Sequence, residues 1–313
     1  MRANKITNNG EVLLDLTADT VTEADVAVGK TFHKADGSPS TGTAFSADRY
    51  FEGGYDEVNL PNATKIKQYA FYKDTTITSI SAPEATSING YAFYECHNLV
   101  NVSVPKVTSI GQYAFYNCNG LALTELPSGI TTIASYAFQH CNDLALTELP
   151  SGITSIGQSA FYNCGGLALT ELPSGITTIE ANTFYNCDGL TLTELPSGIT
   201  SIGNSGFYGC NNLALTSLPS SLTVINAYAF QDCPKVAITE IPSGVVRINA
   251  NAFSGCNAIT TITFKGTPTT IVYNAFASCP NLTTINVPWA EGEVANAPWR
   301  ATNATINYNY TGG

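Results

Sequence analysis

Apolar and polar positions recur along most of this chain in a frame of 22 or 23 residues. One unit, Leu121-Ala-Leu-Thr-Glu-Leu-Pro-Ser-Gly-Ile-Thr-Thr-Ile-Ala-Ser-Tyr-Ala-Phe-Gln-His-Cys141, shows it. The stretch Leu121 to Leu126 predicts a strand whose alternate side chains face inward, with an irregularity before the proline. Pro127 and Gly129 turn the chain, since proline removes a ladder donor and glycine permits positive φ. Ile130 and Ile133 return to the core. Ala137, Phe138 and Cys141 then suit a short helical turn that closes the coil.

The frame is strictest at ten phenylalanines: Phe71, Phe93, Phe115, Phe138, Phe161, Phe184, Phe207, Phe230, Phe253 and Phe276. Three residues after nine of them stand Cys96, Cys118, Cys141, Cys164, Cys187, Cys210, Cys233, Cys256 and Cys279, a core ladder; the first unit has Asp74 there, as suits a less buried end. A fixed short period predicts a solenoid of stacked coils, because one unit cannot bury its apolar face alone.

Three zones follow. Residues 1–47 carry no repeat and read as a small docking module. Within it Thr22-Glu23-Ala24-Asp25 looks like a helix start and Gly29 its stop, and Phe32-His33 a strand running into an Asp36-Gly37 turn. Residues 48–287 are the solenoid. Residues 288–313 lose the period and bring in Trp289 and Trp299, expected to cap the last coil, which would otherwise expose a sheet edge and an apolar face.

The unit I-G-x-x-A-F-x-x-C-x-x-L, followed by a strand ending in L-P or V-P, resembles the BspA-like class of leucine-rich repeats. Ile110-Gly111 with Ala114-Phe115 and Cys118, and Ile156-Gly157 with Ala160-Phe161 and Cys164, match it closely. The resemblance covers about three quarters of the chain. It implies a leucine-rich repeat solenoid, one β-strand plus a short helical turn in each of about ten repeats, and a surface-associated binding scaffold rather than an enzyme. A shorter resemblance lies ahead of it. Asp15-Leu16-Thr17-Ala18-Asp19-Thr20-Val21-Thr22, then Gly29-Lys30-Thr31-Phe32, Asp36-Gly37 and Thr41-Gly42-Thr43, is similar to a leader in tail-associated proteins of phages and prophages of gut Firmicutes. This implies a virion tail component, assembled in the host cytoplasm, that recognises the bacterial surface and docks to other tail proteins through residues 1–47. No coiled-coil or β-helical shaft accompanies it, so a tip or decoration is expected rather than a whole fibre. The alternatives are a bacterial cell-surface adhesin and a structural virion decoration without a ligand.

Composition narrows the partners. Only 12% of the 313 residues are charged and the net charge is −11, which argues against nucleic acid and anionic membrane surfaces. No apolar run approaches the roughly 20 residues of a membrane span. Met1–Gly10 is polar and lacks the basic-then-apolar profile of a secretory signal, so with Met1 as the start, export by that route is not expected. The nine evenly spaced cysteines read as buried free thiols, since side chains pointing the same way into a core meet disulfide geometry poorly and no CxxC pair suggests zinc. Free thiols fit assembly in a reducing cytoplasm.

Candidate binding residues point outward. Tyr72, Tyr94, Tyr116, Tyr162, Tyr185 and Tyr208 follow the core phenylalanines, and Tyr91, Tyr113 and Tyr136 precede them by two. Rigid amphipathic rings among Asn, Ser and Gly resemble a paratope, and could pack on sugar rings; a covering for the closing turns is the plainer reading. A second column, Glu125, Glu148, Glu171, Glu194 and Glu240, is either a solvated acidic stripe or a cation site. No calcium loop motif supports the latter, and neither metal nor cofactor is expected. His33, His97 and His140 lie in no recognisable frame with a nucleophile, so no catalytic residue is assigned. The partner expected is a host-surface glycan or protein; self-association is left open.

Overall fold

The computed structural model describes residues 57–311 continuously and, ahead of them, four strands: Lys5–Asn8, Glu11–Asp15, Lys30–His33 and Pro39–Gly42. The first two pair antiparallel, as do the last two, so Phe32 and His33 lie in a strand as expected. The helix expected from Thr22 to Gly29 and the Asp36-Gly37 turn fall outside the described residues.

From residue 57 the chain is a series of stacked coils joined by parallel pairing. Two-residue strands such as Thr132–Ile133 and Ser155–Ile156 pair in register, so Ile88, Ile110, Ile133 and Ile156 form one run, and Ile179, Ile202, Ile225, Ile248 and Ile271 another. Ile130 and Ile133 are both buried, as the pattern predicts.

The strand expected at Leu121–Leu126 is not regular in the middle coils. It keeps only one or two backbone bonds per coil, for example from Ala145 N–H to Leu123 O at 3.0 Å and from Ala168 N–H to Leu146 O at 3.0 Å. Inward residues there are spaced by three, with Leu146 and Leu149 buried and Thr147 and Glu148 exposed between them. That step breaks the two-residue period a ladder needs. At the two ends of the solenoid the same position carries alternating β-branched residues and does form strands: Glu57–Asn59, Ser79–Ser81 and Asn101–Ser103, then Thr261–Phe264 and Thr284–Asn286.

The expected helical turn is absent; among the described residues no helix forms. Each closing segment is instead a chain of tight turns with two left-handed residues four apart, Tyr113 at φ 57° and Asn117 at φ 58° in one coil. Even-numbered N–H groups of this segment bond three residues back, from Ala114 to Gly111, Tyr116 to Tyr113 and Cys118 to Phe115. Odd-numbered ones reach the next coil, from Tyr113 to Ser135, Phe115 to Ala137 and Asn117 to Gln139. A helix would satisfy its N–H groups within the segment and leave nothing to bond the neighbouring coil.

The core follows from this spacing. The ten phenylalanines are fully buried and stack with ring centroids 5.1–5.8 Å apart, nearly parallel from Phe71–Phe93 through Phe253–Phe276. The nine cysteines are buried and unpaired. They are more than small hydrophobes: each Sγ donates to the carbonyl of the phenylalanine one coil back, from Cys96–Phe71 at 2.8 Å to Cys279–Phe253 at 3.0 Å. At the first coil Asp74 is half-buried, and its Oδ1 accepts from Thr76 N and Oγ1, both at 2.7 Å, fastening its own turn instead. At the far end Trp299 is buried over Phe276, its carbonyl accepting the Phe276 N–H and its indole donating to Ala295 O at 2.9 Å. Trp289 packs edge-on against Phe264, and strand Thr305–Asn307 pairs with Thr284–Asn286.

Phe161→Ala should cost about 3–5 kcal/mol, the usual penalty for emptying a phenylalanine site that rigid neighbours cannot refill, read as a lower urea midpoint. The native protein should leave all nine thiols unreactive towards a disulfide reagent and expose nine on denaturation, because burial removes access to every one of them and also raises thiols such as Cys118 and Cys164.

Candidate functional site

The closing turns place two columns of tyrosines on one flank of the solenoid. Tyr69, Tyr91, Tyr113 and Tyr136 stack at 5.1, 4.9 and 4.6 Å. Beside them Tyr72, Tyr94 and Tyr116 stack at 5.0 and 4.7 Å, and Tyr162, Tyr185 and Tyr208 at 4.5 and 4.6 Å. The columns meet edge to face, as between Tyr69 and Tyr72 at 5.5 Å and 79°, and Tyr113 and Tyr116 at 5.7 Å and 64°. Every tyrosine singled out in the sequence therefore belongs to one continuous plate. The rings lie face on face, so the plate presents mainly ring edges to solvent, not the open faces on which sugar rings were expected to pack.

A member that sequence reasoning missed completes it. Gln139 interrupts the second column, and the imidazole of His140, one residue later, fills the gap edge-on between Tyr116 at 5.9 Å and Tyr162 at 5.5 Å. Its ring nitrogens lie against the side-chain amides of Gln139 at 3.4 Å and Asn163 at 3.3 Å. The sign in the sequence was a lost tyrosine with an aromatic residue beside it.

The backbone under the first column is unusual. Tyr69, Tyr91, Tyr113, Tyr136 and Tyr228 all have φ of 57–62°, the left-handed region that bulky residues rarely enter. The same slot in other coils holds Ser159, Asn182, Ser205 and Asn251 at φ 53–55°. Asparagine adopts this conformation readily, whereas other L-residues lose roughly 1–2 kcal/mol there. Stacking returns about 0.5–1.5 kcal/mol per ring pair, so the tyrosines are close to neutral for stability.

Charge is sparse on this flank. Lys73 bridges Glu95 at 3.2 Å and lies 5.5 Å above the Tyr72 ring, closing the N-terminal end of the plate. Burial, reinforced by the Glu95 carboxylate, pushes Tyr94 up to about 12, and burial raises Tyr113, Tyr162 and Tyr208, so these phenols remain neutral donors. Glu125, Glu148, Glu171, Glu194 and Glu240 are all exposed, and Glu240 pairs with Lys265 at 2.8 Å. Among the described residues no three His, Cys, Asp or Glu groups converge as a metal site would require. His97 is exposed, with Nδ1 2.8 Å from Asn117 O, and the His33 side chain lies outside the described residues.

A model of the BspA type leucine rich repeat region matches residues 64–191 and 177–297. No curated protein matches the chain. Similar solved structures include a leucine rich cell surface protein from Faecalibacterium prausnitzii, 24% identical over 90% of this chain and 93% of that one, with a TM-score of 0.46. Others are a leucine-rich repeat protein from Eubacterium ventriosum, 21% identical over 80% and 78%, TM-score 0.46, and one from T. pallidum, 21% identical over 81% and 87%, TM-score 0.40.

Desolvation lowers the pKa of His140, so the unfolded chain takes up its proton first. Stability should therefore fall as pH drops through the unfolded value near 6.5 and level off below the folded one. Melting temperatures of wild type and His140→Gln between pH 8 and pH 5 check this: the variant should show the shallower dependence.

Proposed function

We propose that this chain, which belongs to the BspA type leucine-rich repeat family, is a non-enzymatic binding protein that recognises a cell-surface ligand through its tyrosine plate. The observation that carries the reading is the left-handed tyrosine column. Four times, at Tyr69, Tyr91, Tyr113 and Tyr136, the chain sets a bulky ring where asparagine sits at less cost in other coils, and the strain is only about offset by stacking. Strain of this kind gathers at functional sites, and a residue that adds little stability while forming a continuous outward surface is placed to meet a ligand. The plate also has the chemistry of a recognition surface: large rigid rings with polar tips, among Asn, Gln and Ser that adapt. The glutamate column reads as a solvated stripe that keeps the opposite flank soluble.

An adhesin at the bacterial surface is the setting that the family supports. Among the described residues no helix is long and apolar enough to cross a membrane. A second reading, a phage or prophage tail component with residues 1–47 as its dock, rests on the leader around Asp15–Thr22 and Gly29–Phe32, mostly outside the described residues. Mass spectrometry of purified particles and of cell envelopes from the lysed source strain separates the two: the adhesin reading expects the chain in envelopes, the tail reading in particles at the stoichiometry of tail proteins.

The binding site itself is tested with the variant Tyr91→Asn/Tyr113→Asn/Tyr136→Asn, which places in each slot the residue already used at Asn182 and Asn251. The melting temperature should move by only a few degrees while binding to a panel of bacterial and mucin-producing epithelial cells falls at least tenfold. Undiminished binding by the folded variant would remove the tyrosine plate as the site.

A further inference from the structure

Resting on that reading, we infer that the ligand of the plate is a neutral polysaccharide lying lengthwise along the solenoid axis. Three observations lead there, beginning with charge. No Lys or Arg occurs between Lys106 and Lys235. The five closing segments 111–118, 134–141, 157–164, 180–187 and 203–210, which carry the centre of the plate, hold one carboxylate, Glu180, already bonded to Thr178 Oγ1 at 3.0 Å. An anionic ligand finds no counter-charge in this stretch, and a cationic one finds only Glu180 within it and, at the ends of the plate, Glu95 beside Tyr94 and Asp232 beside Tyr208. A folded protein partner would ordinarily be met by a mixture of charges at the rim of its interface.

The second observation is periodicity. Tyrosine and histidine rings recur once per coil from Tyr69 and Tyr72 to Tyr208, with centroids 4.5–5.1 Å apart wherever two tyrosines stack. A surface that repeats by translation is complementary along its whole length only to a ligand that also repeats. The surface of an ordinary globular protein does not, but an extended glycan does, at about the length of one sugar ring.

The third is the kind of group offered. With ring faces covered by their neighbours, what remains is edges, phenol hydroxyls and side-chain amides. Tyr136 OH already accepts from Gln158 Nε2 at 3.0 Å, and Gln112 and Asn204 stand exposed at neighbouring closing turns. Neutral donors and acceptors beside apolar edges match a ligand whose surface is hydroxyls over short C–H patches. Such contacts are individually weak, so affinity should accumulate with the number of sugars in register.

The test uses the full chain and the cells it binds. Periodate, which cleaves vicinal diols of sugars, should lower binding at least tenfold, while proteinase treatment of the cells leaves it unchanged. Polysaccharide released from those cells and sized should compete better as it lengthens, by tenfold or more between disaccharides and fragments long enough to span the plate, and the Tyr113→Asn triple variant should lose this competition. Binding removed by proteinase and untouched by periodate overturns the inference and leaves the tyrosine site standing with a protein ligand. Equal competition by short and long fragments overturns the lengthwise alignment. A wild-type protein that binds no cell removes the proposed function and this inference together.

Discussion

Each coil is tied to the next by a backbone hydrogen bond from the core phenylalanine N–H to a carbonyl one coil ahead, 2.7 Å at Phe71–Ala92 and 2.9 Å at Phe253–Ala275. This bond sets the pitch, and the pitch dictates the side chains. Identical rings one coil apart must stack, so phenylalanine fills the interior with parallel faces and leaves no gap for a rotamer change. The carbonyl of the same phenylalanine accepts the N–H three residues on, and in a place that water does not reach the thiol of the next coil supplies its second donor. Phenylalanine and cysteine are thus parts of one device, repeated.

The same bond explains why the closing segment is not helical. Alternate N–H groups must leave the segment to reach the next coil, and two left-handed residues per coil aim them outward from the turn chain. The backbone there is set by the array, so the side chain in the left-handed slot is free to be chosen for other reasons. In some coils it is asparagine, which suits the conformation, or the small serine. In others it is tyrosine, which does not, and the rings then stack because the pitch places them within contact.

Constraint and variation are divided between parts of the coil accordingly. The interior is nearly invariant from unit to unit because each coil must match two neighbours. The glutamate column stays exposed along the middle coils, where the strands are irregular. The aromatic flank carries the variation from coil to coil, and between the Lys73–Glu95 bridge and Asp232 its closing segments hold a single carboxylate, Glu180.

The sequence by itself determined the solenoid and the occupants of the core, since a 22–23-residue period in phenylalanine and cysteine admits little else. It marked the tyrosines as outward-facing and the tryptophans as belonging to the last turn. The tertiary structure alone decided what those tyrosines present. One coil read in isolation predicts a helix at Ala137–Cys141 and a strand at Leu121–Leu126, because local patterns do not show that N–H groups will be taken by a neighbour. Nor does the position of His140, off the tyrosine register by one residue, show that its ring fills the gap at Gln139. Stacking in parallel register turns a column of tyrosines into covered faces and exposed edges, and only the coil-to-coil distance, a property of the assembled array, makes that so.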